Sequence, residues 1–317
     1  MLTHVVSLCL FVWLLSGAGC VSISLFPPKM PLQQKTVQGT GADKILMLDV
    51  SGIIAEGKEG NLLDRDESMV ARIKEELTLA ADDEHIKAVL LRINSPGGTV
   101  TASDVIHHEI TEFKAKRKIP VVSVIMDVGA SGGYYIAAPS DRILAHPTSV
   151  TGSIGVIMMR VNAEGLLQKI GVDASSIKSG TKKDIGSPFR AMTDDEKEIF
   201  QAIIDGFYAR FLEVVAQGRG ALPADRLKII RDGRVLTGPQ AMQLGLVDQI
   251  GYLDDGIVAA KKLAGLSEAR VVIYARPGSY KQNIYSEGMG SLEALVHLDI
   301  MGLVRGGTPQ FLYLWMP

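Results

Sequence analysis

Ser131 stands in the run Gly129-Ala130-Ser131-Gly132-Gly133, a G-x-S-x-G spacing between an apolar stretch and a short helical segment. Glycines on either side of a serine let the backbone bend sharply and let a substrate come close, which is how a nucleophilic hydroxyl is presented. A serine that opens a helix also lies near the positive end of the helix dipole, where developing negative charge is favoured. The same residues equally make an ordinary tight turn. A serine nucleophile needs a base. Of the six histidines, only His146 and His297 follow Ser131 in the order a nucleophile-elbow hydrolase uses. His146 comes 15 residues later, with little room for an intervening acid, and His297 lies in an apolar C-terminal stretch. Lysine is the other candidate, because a desolvated ammonium becomes a neutral amine able to accept the serine proton. Lys178, Lys182 and Lys183 lie together in the Gly/Ser-rich stretch 177–188. Local composition does not choose among them, and each also reads as a solvated loop lysine.

Two further glycine turns complete the set of chemical candidates. Ser95-Pro96-Gly97-Gly98 follows a strand end, and backbone amides of such a turn are suited to an oxyanion, although Pro and Gly also belong in a plain type II turn. Ser153, in Thr151-Gly152-Ser153-Ile154-Gly155, suits the orienting of a base or the satisfying of nearby backbone groups.

The elements that must position these residues alternate. Short apolar runs at 45–50, 88–93, 120–126 and 142–145 predict strands. Helical spacing of Met69, Val70, Ile73 and Leu77 predicts a helix over 64–80, with others over 103–116 and 134–138. Thr193 with Glu196 makes a capping box for a long helix. Its apolar surface is wide: Ile199, Ile203, Phe207 and Phe211 form one stripe, with Phe200, Ile204, Tyr208 and Val215 beside it. That width suits packing on a core and on a neighbouring subunit. The basic run Lys114–Lys118 reads as a solvated helix end. Alternating strands and helices predict an α/β fold with a helix-covered sheet.

Composition bounds the rest. A chain of 317 residues holds one large domain or two ordinary ones. A net charge of −2 disfavours a strongly basic nucleic-acid binder. Both cysteines, Cys9 and Cys20, precede the body, which excludes a disulfide-stapled fold and a cysteine-based zinc or redox site there. No metal or organic cofactor is indicated. Residues 1–28 carry no Asp, Glu, Lys or Arg, and Val5–Leu15 is apolar. That stretch is shorter than the roughly 20 residues of a membrane span and reads as an export signal. Its small residues before Cys20 resemble the end of a bacterial lipoprotein signal, with Cys20 as the lipidated residue. An uncleaved anchor over Leu2–Phe26 and a cleaved export signal are the alternatives. All three place the body outside the cytoplasm, the first two at a membrane. Pro27, Pro28 and Pro31 stiffen the tether that follows.

The ordered set NSPGG (94–98), GASGGYYIA (129–137), TGSIGVI (151–157), KKDIGSPFR (182–190) and DGRVLTGPQAMQLGLVDQIG (232–251) resembles the signal peptide peptidase A group of the S49 Ser/Lys serine proteases. The resemblance implies a ClpP/crotonase-like α/β spiral of βαβ units, a ring- or dome-like homo-oligomer, membrane association and no cofactor. It implies Ser131 as nucleophile, Lys183 as base, Ser153 as the residue that orients the lysine, and Gly97 and Gly98 as the oxyanion turn. The implied substrates are signal-peptide remnants and other short apolar peptides. Nucleophile and base fall in one copy of the domain, as in the short form of the family. The expected layout is a signal or anchor (1–19), a tether (20–42), a peptidase domain (43–265) and a C-terminal extension with an apolar tail (266–317). Competing readings are a Ser-His esterase using Ser131 with His146 or His297, a crotonase-like acyl-CoA enzyme, and a non-catalytic membrane scaffold. The tail, with Leu303, Val304, Phe311, Leu312, Tyr313, Leu314 and Trp315, suits an oligomer or membrane contact. Alternatively, Gln310–Met316 lies extended in a substrate groove as a substrate-like regulator.

Overall fold

The computed structural model describes residues 30–56, 68–220, 222–277, 279, 281–286 and 310–316. The apolar leader, Cys20, His297, Leu303 and Val304 lie outside these residues. β1 (Gln33–Gln38) and β2 (Lys44–Ser51) lead to helix α1 (Met69–Ala81), β3 (Ile86–Ser95), β4 (Gly97–Thr99) and α2 (Val100–Arg117). Then come β5 (Val121–Ala130), α3 (Gly132–Ala137), β6 (Arg142–Ala145), β7 (Val150–Gly152), β8 (Ile157–Met158), α4 (Glu164–Lys169) and the long α5 (Asp194–Arg219). The last elements are α6 (Ala224–Ile230), β9 (Val235–Thr237), α7 (Gly238–Leu244), β10 (Gln249–Ile250), α8 (Leu253–Ala264), β11 (Arg270–Ala275) and β12 (Phe311–Leu314).

The main sheet runs β1-β11-β2-β3-β5-β6-β10. Its pairs from β11 to β10 are parallel, as is the β5–β7 branch, while β1 on β11 and β9 on β7 are antiparallel. Parallel strands need helical crossovers, so both faces of the sheet are covered. The residues alternate accordingly. Leu46, Leu48, Leu91 and Ile93 face one cluster with Ile73 of α1 and Ile106 and Ile110 of α2. Ile45, Met47, Leu90 and Val124 face another with Leu253, Ile257 and Ala260 of α8. Truncating one such fully buried side chain to alanine costs about 2–5 kcal/mol. The α/β expectation is met, with a mostly parallel sheet. The basic run at the end of α2 is more than a solvated end. Arg117 donates to the carbonyls of Ala80, Ala81, Asp83 and Ile86, and Lys114 pairs with Asp141.

Two details of the sheet build the site. β5 changes partner along its length: Val122–Ile125 pair with β6, and Val128–Ala130 pair with β7. The divergence opens the end of β5, from which Ser131 emerges. A second sheet of order β4-β12-β8, antiparallel throughout, lies at the same end of β3 and β5.

Candidate active site

Ser131 links β5 to α3 with φ 50 and ψ −115, a backbone state that costs a non-glycine residue about 1–3 kcal/mol. Surrounding bonds hold it there. Its N–H donates to the Gly152 carbonyl (2.8 Å), and its own carbonyl accepts the first helical bond from Tyr135 N–H (2.9 Å). Thr151 Oγ1 donates to the Gly129 carbonyl (2.6 Å) and locks β7 onto β5. The Ala130–Gly152 register brings the next residues, Ser131 and Ser153, side by side, and Ser153 also has positive φ (51). Ser131 is buried and Ser153 half-buried. Among the described residues, no hydrogen bond engages either hydroxyl.

The turn at 95–98 forms the facing wall. A Cβ on Gly98 would lie 1.9 Å from the Ile54 carbonyl oxygen, so only glycine fits there. Gly97 adopts φ 104, and a Cβ on it would lie 1.9 Å from the Tyr313 carbonyl oxygen and 2.8 Å from the Gly132 nitrogen. Both glycines therefore mark close backbone approach. The two amides are not equivalent. Gly97 N–H donates to Ser95 Oγ (3.1 Å). Gly98 lies opposite Tyr313 in the β4–β12 ladder. Trp315 N–H donates to the Pro96 carbonyl (2.9 Å); in an antiparallel ladder, pairs two residues apart share that hydrogen-bonded character, so Gly98 N–H meets the Tyr313 carbonyl. Of the two expected oxyanion glycines, Gly98 presents its amide to the groove.

β12 fills that groove between β4 and β8. Tyr313 is fully buried, stacked on Tyr135 (5.1 Å between centroids) and tilted against Phe211 (4.7 Å). Its hydroxyl donates to the Phe207 carbonyl (2.7 Å), and burial pushes the phenol well above its ordinary range. Phe311, two residues earlier on the same face, packs on Phe200 and Phe207. The aromatic face of α5 is thus spent on the tail and on α3. Ile199 and Ile203 remain exposed.

The lysines lie on an arm, residues 156–192, that contributes almost nothing to the core: between Gly155 and Asp195 only Gly186 is buried. Arg190 organises it, binding Asp184 (2.8 Å) and Glu196 (2.6 Å). Hydrogen bonds from Arg190, Lys178 and Ser176 hold the Asp184 carboxyl far below the usual range. Those from Arg190 hold Glu196 down at about 2. Lys178 is committed to Asp184 and Lys182 to Asp195. Lys183 is exposed, and among the described residues nothing pairs with its ammonium. Ser131 and Lys183 are not in hydrogen-bond contact within this chain.

A sequence profile described as peptidase family S49 matches residues 113–267. The chain is 40% identical over 237 residues to a putative signal peptide peptidase SppA of Enterococcus faecium, covering 75% of this chain and 68% of that one. It is also 40% identical to a putative protease of Synechocystis sp., over 85% of this chain and 96% of that protein. The chain belongs to peptidase family S49. It is a serine peptidase. The similarity to protease 4 of Salmonella typhi is 33% over 85% of this chain but 42% of that longer protein.

In this S49 chain the His146 reading finds no support, and His297 lies outside the described residues. His146 packs against Tyr252 (5.2 Å between ring centroids), and among the described residues no histidine bonds Ser131. His107 sits edge-on to Tyr135 (5.2 Å), and burial lowers it to about 4. Sequence reasoning missed Ser95, Tyr135 and Phe211 as groove residues. Tyr135 lies inside the GASGGYYIA motif, but its ring meets Tyr313 only through the fold. Among the described residues, no His, Cys, Asp and Glu group is arranged to hold a metal ion, and no helix is long and apolar enough to cross a membrane.

Proposed function

We propose that this S49 chain is a membrane-associated endopeptidase that cleaves signal-peptide remnants and other short apolar peptides through a Ser131–Lys183 dyad and an acyl-enzyme. One observation carries the reading: the strained turn at Ser131 borders a groove filled by an extended peptide stretch, with the Tyr313 carbonyl wedged between Gly97 and Gly132. A substrate strand takes the place of β12. Neutral Lys183 accepts the Ser131 proton as Oγ attacks the peptide carbonyl. Gly98 N–H, with Gly132 N–H beside it, stabilises the oxyanion. The Lys183 ammonium protonates the amine as the C–N bond breaks, leaving an ester on Ser131. Water, deprotonated by Lys183, then attacks the ester, and Ser131 regains its proton. Ser153 orients the lysine from the neighbouring strand end.

The lysine comes from a second copy of the chain. Lys183 is exposed on an arm with exposed apolar side chains at Leu166, Ile170, Ile177 and Phe189, and a contact there both buries them and dries the amine. This accords with a ring- or dome-like homo-oligomer of ClpP/crotonase-type domains, held at a membrane by the N-terminal leader or a lipidated Cys20. The Tyr135–Phe207–Phe211 pocket takes a large apolar or aromatic side chain, and the tail competes with peptides for it. Labelling of the purified chain with a serine-reactive fluorophosphonate tests the core of the reading. Labelling and peptidase activity are expected to vanish together in Ser131→Ala; activity retained in that variant overturns the nucleophile.

A further inference from the structure

We propose that Ser95 is a positioning residue for this reaction, whose hydroxyl sets which amide of the 96–98 turn faces the reacting carbonyl. The proposal rests on the reading of Ser131 as nucleophile and Gly98 as oxyanion donor. Each peptide plane in this turn is fixed by a named partner. The Pro96 carbonyl points to the groove, where it accepts from Trp315 N–H (2.9 Å). The N–H of the same plane, that of Gly97, must therefore point away, and there it finds Ser95 Oγ (3.1 Å). The Gly97 carbonyl also points away and accepts from Ile54 N–H (2.9 Å). The N–H of that plane, on Gly98, is consequently aimed at the groove. The next amide, Thr99 N–H, returns to the Ile54 carbonyl (2.8 Å).

When a substrate replaces the tail, the contact from Trp315 goes with it. Ile54 and Ser95 are then what hold the planes. Ser95 is fully buried, and its hydroxyl donates to the Gly52 carbonyl (2.6 Å) while accepting from Gly97. It therefore bridges the loop after β2 to the turn after β3. Gly97, at φ 104, has no side chain to bias its conformation. Without the Ser95 oxygen, its buried N–H loses its acceptor. Rotation of the Pro96–Gly97 plane toward the groove then satisfies Gly97 by presenting a second amide beside Gly98 and displacing it. A donor misplaced in this way weakens the oxyanion, whose charge develops only in the transition state, far more than it weakens the bound peptide.

The test uses the full chain with Ser95→Ala and Ser95→Thr, the latter keeping the oxygen. A fluorogenic apolar peptide gives kcat and KM, and thermal unfolding shows that the variants are folded. Two inhibitors separate transition-state from ground-state binding. Phe-Leu-tyrosinal matches residues 311–313: Ser131 Oγ adds to its aldehyde carbon, the serine proton ends on the former carbonyl oxygen, and nothing leaves. Phe-Leu-Tyr amide binds without adding. In Ser95→Ala, kcat is expected to fall about 10- to 100-fold with KM within about twofold. Affinity for the aldehyde should fall by the same factor as kcat/KM, affinity for the amide should hold, and Ser95→Thr should recover most of kcat. A Ser95→Ala enzyme at full kcat overturns the positioning role. So does one that loses aldehyde and amide affinity equally, since that is a structural defect. Full activity in Ser131→Ala would overturn the underlying site reading instead, whatever Ser95 does.

Discussion

Lys182 and Lys183 are neighbours that the fold treats differently. Lys182 is drawn to Asp195 on the first turn of α5, while Lys183, beside the clamped Asp184, takes part in neither ion pair. An exposed ion pair such as Lys182–Asp195 contributes about 0–1 kcal/mol. Lys182→Ala is therefore expected to keep peptidase activity within about threefold of the parent, because it removes only that pair. Lys183→Met removes the proposed base and should lower kcat by about 10²–10⁴. Rate against pH distinguishes loss of the base from loss of fold. The parent's rate should climb as pH rises, because the amine must be unprotonated to accept the serine proton. The residual activity of Lys183→Met should lack that limb. The opposite ranking of the two variants would move the base to Lys182.

At the scale of elements, the arm and the tail strand differ in what holds them. The arm has no apolar core of its own, and its order depends on Arg190 between Asp184 and Glu196. Glu196 is held at about 2, against an ordinary 4.5. A carboxylate depressed in the folded state contributes stability that is complete above its ordinary value and lost as pH falls toward the depressed one. The arm should thus be fully held above about pH 4.5 and loosen toward pH 2, by roughly tenfold in local opening per pH unit for the single proton taken up at Glu196. Hydrogen exchange at the Ile185 and Ser187 amides, corrected for intrinsic rate, measures this. Arg190→Ala should be loose already at pH 6, and pH-independent protection in the parent would refute the clamp. β12 is held instead by burial of Leu312, Tyr313 and Leu314. Deleting residues 306–317 should raise kcat/KM for added peptides, and an unchanged rate would mean that the tail does not compete. Strands β2, β3, β5 and β6 and the Ser131 turn were legible in the sequence because short apolar runs and glycine clusters are local signals. The partner change of β5 was not, since β6 and β7 are 4- and 3-residue strands whose pairing is decided elsewhere. The role of Ser95 was equally hidden, because Gly52, its acceptor, lies 43 residues upstream. The tail's two readings carried the same apolar composition, and only pairing with Gly97–Thr99 separates them.

At the scale of the whole molecule, one chain holds both members of the proposed dyad without joining them. Ser131 is buried at the end of β5, and Lys183 is exposed on an arm that turns Ile177 and Phe189 to solvent. Apolar exposure of that kind marks an interface. If each site takes its serine from one copy and its lysine from the next, two inactive variants complement each other. Ser131→Ala supplies the lysine and Lys183→Met supplies the serine. In randomly mixed closed assemblies made by co-expression at equal levels, about one site in four pairs an intact serine with an intact lysine, so about a quarter of parental activity is expected. Each variant alone should stay at or below about 1% of the parental rate, because every site then lacks the same partner. Fluorophosphonate labelling of the mixture should fall only on the Lys183→Met copies, which alone retain Ser131. Mixed assemblies that form, as shown by co-purification through two different tags, and yet stay inactive would place both residues of the dyad in one chain. The arm would then have to fold back onto its own Ser131 during catalysis.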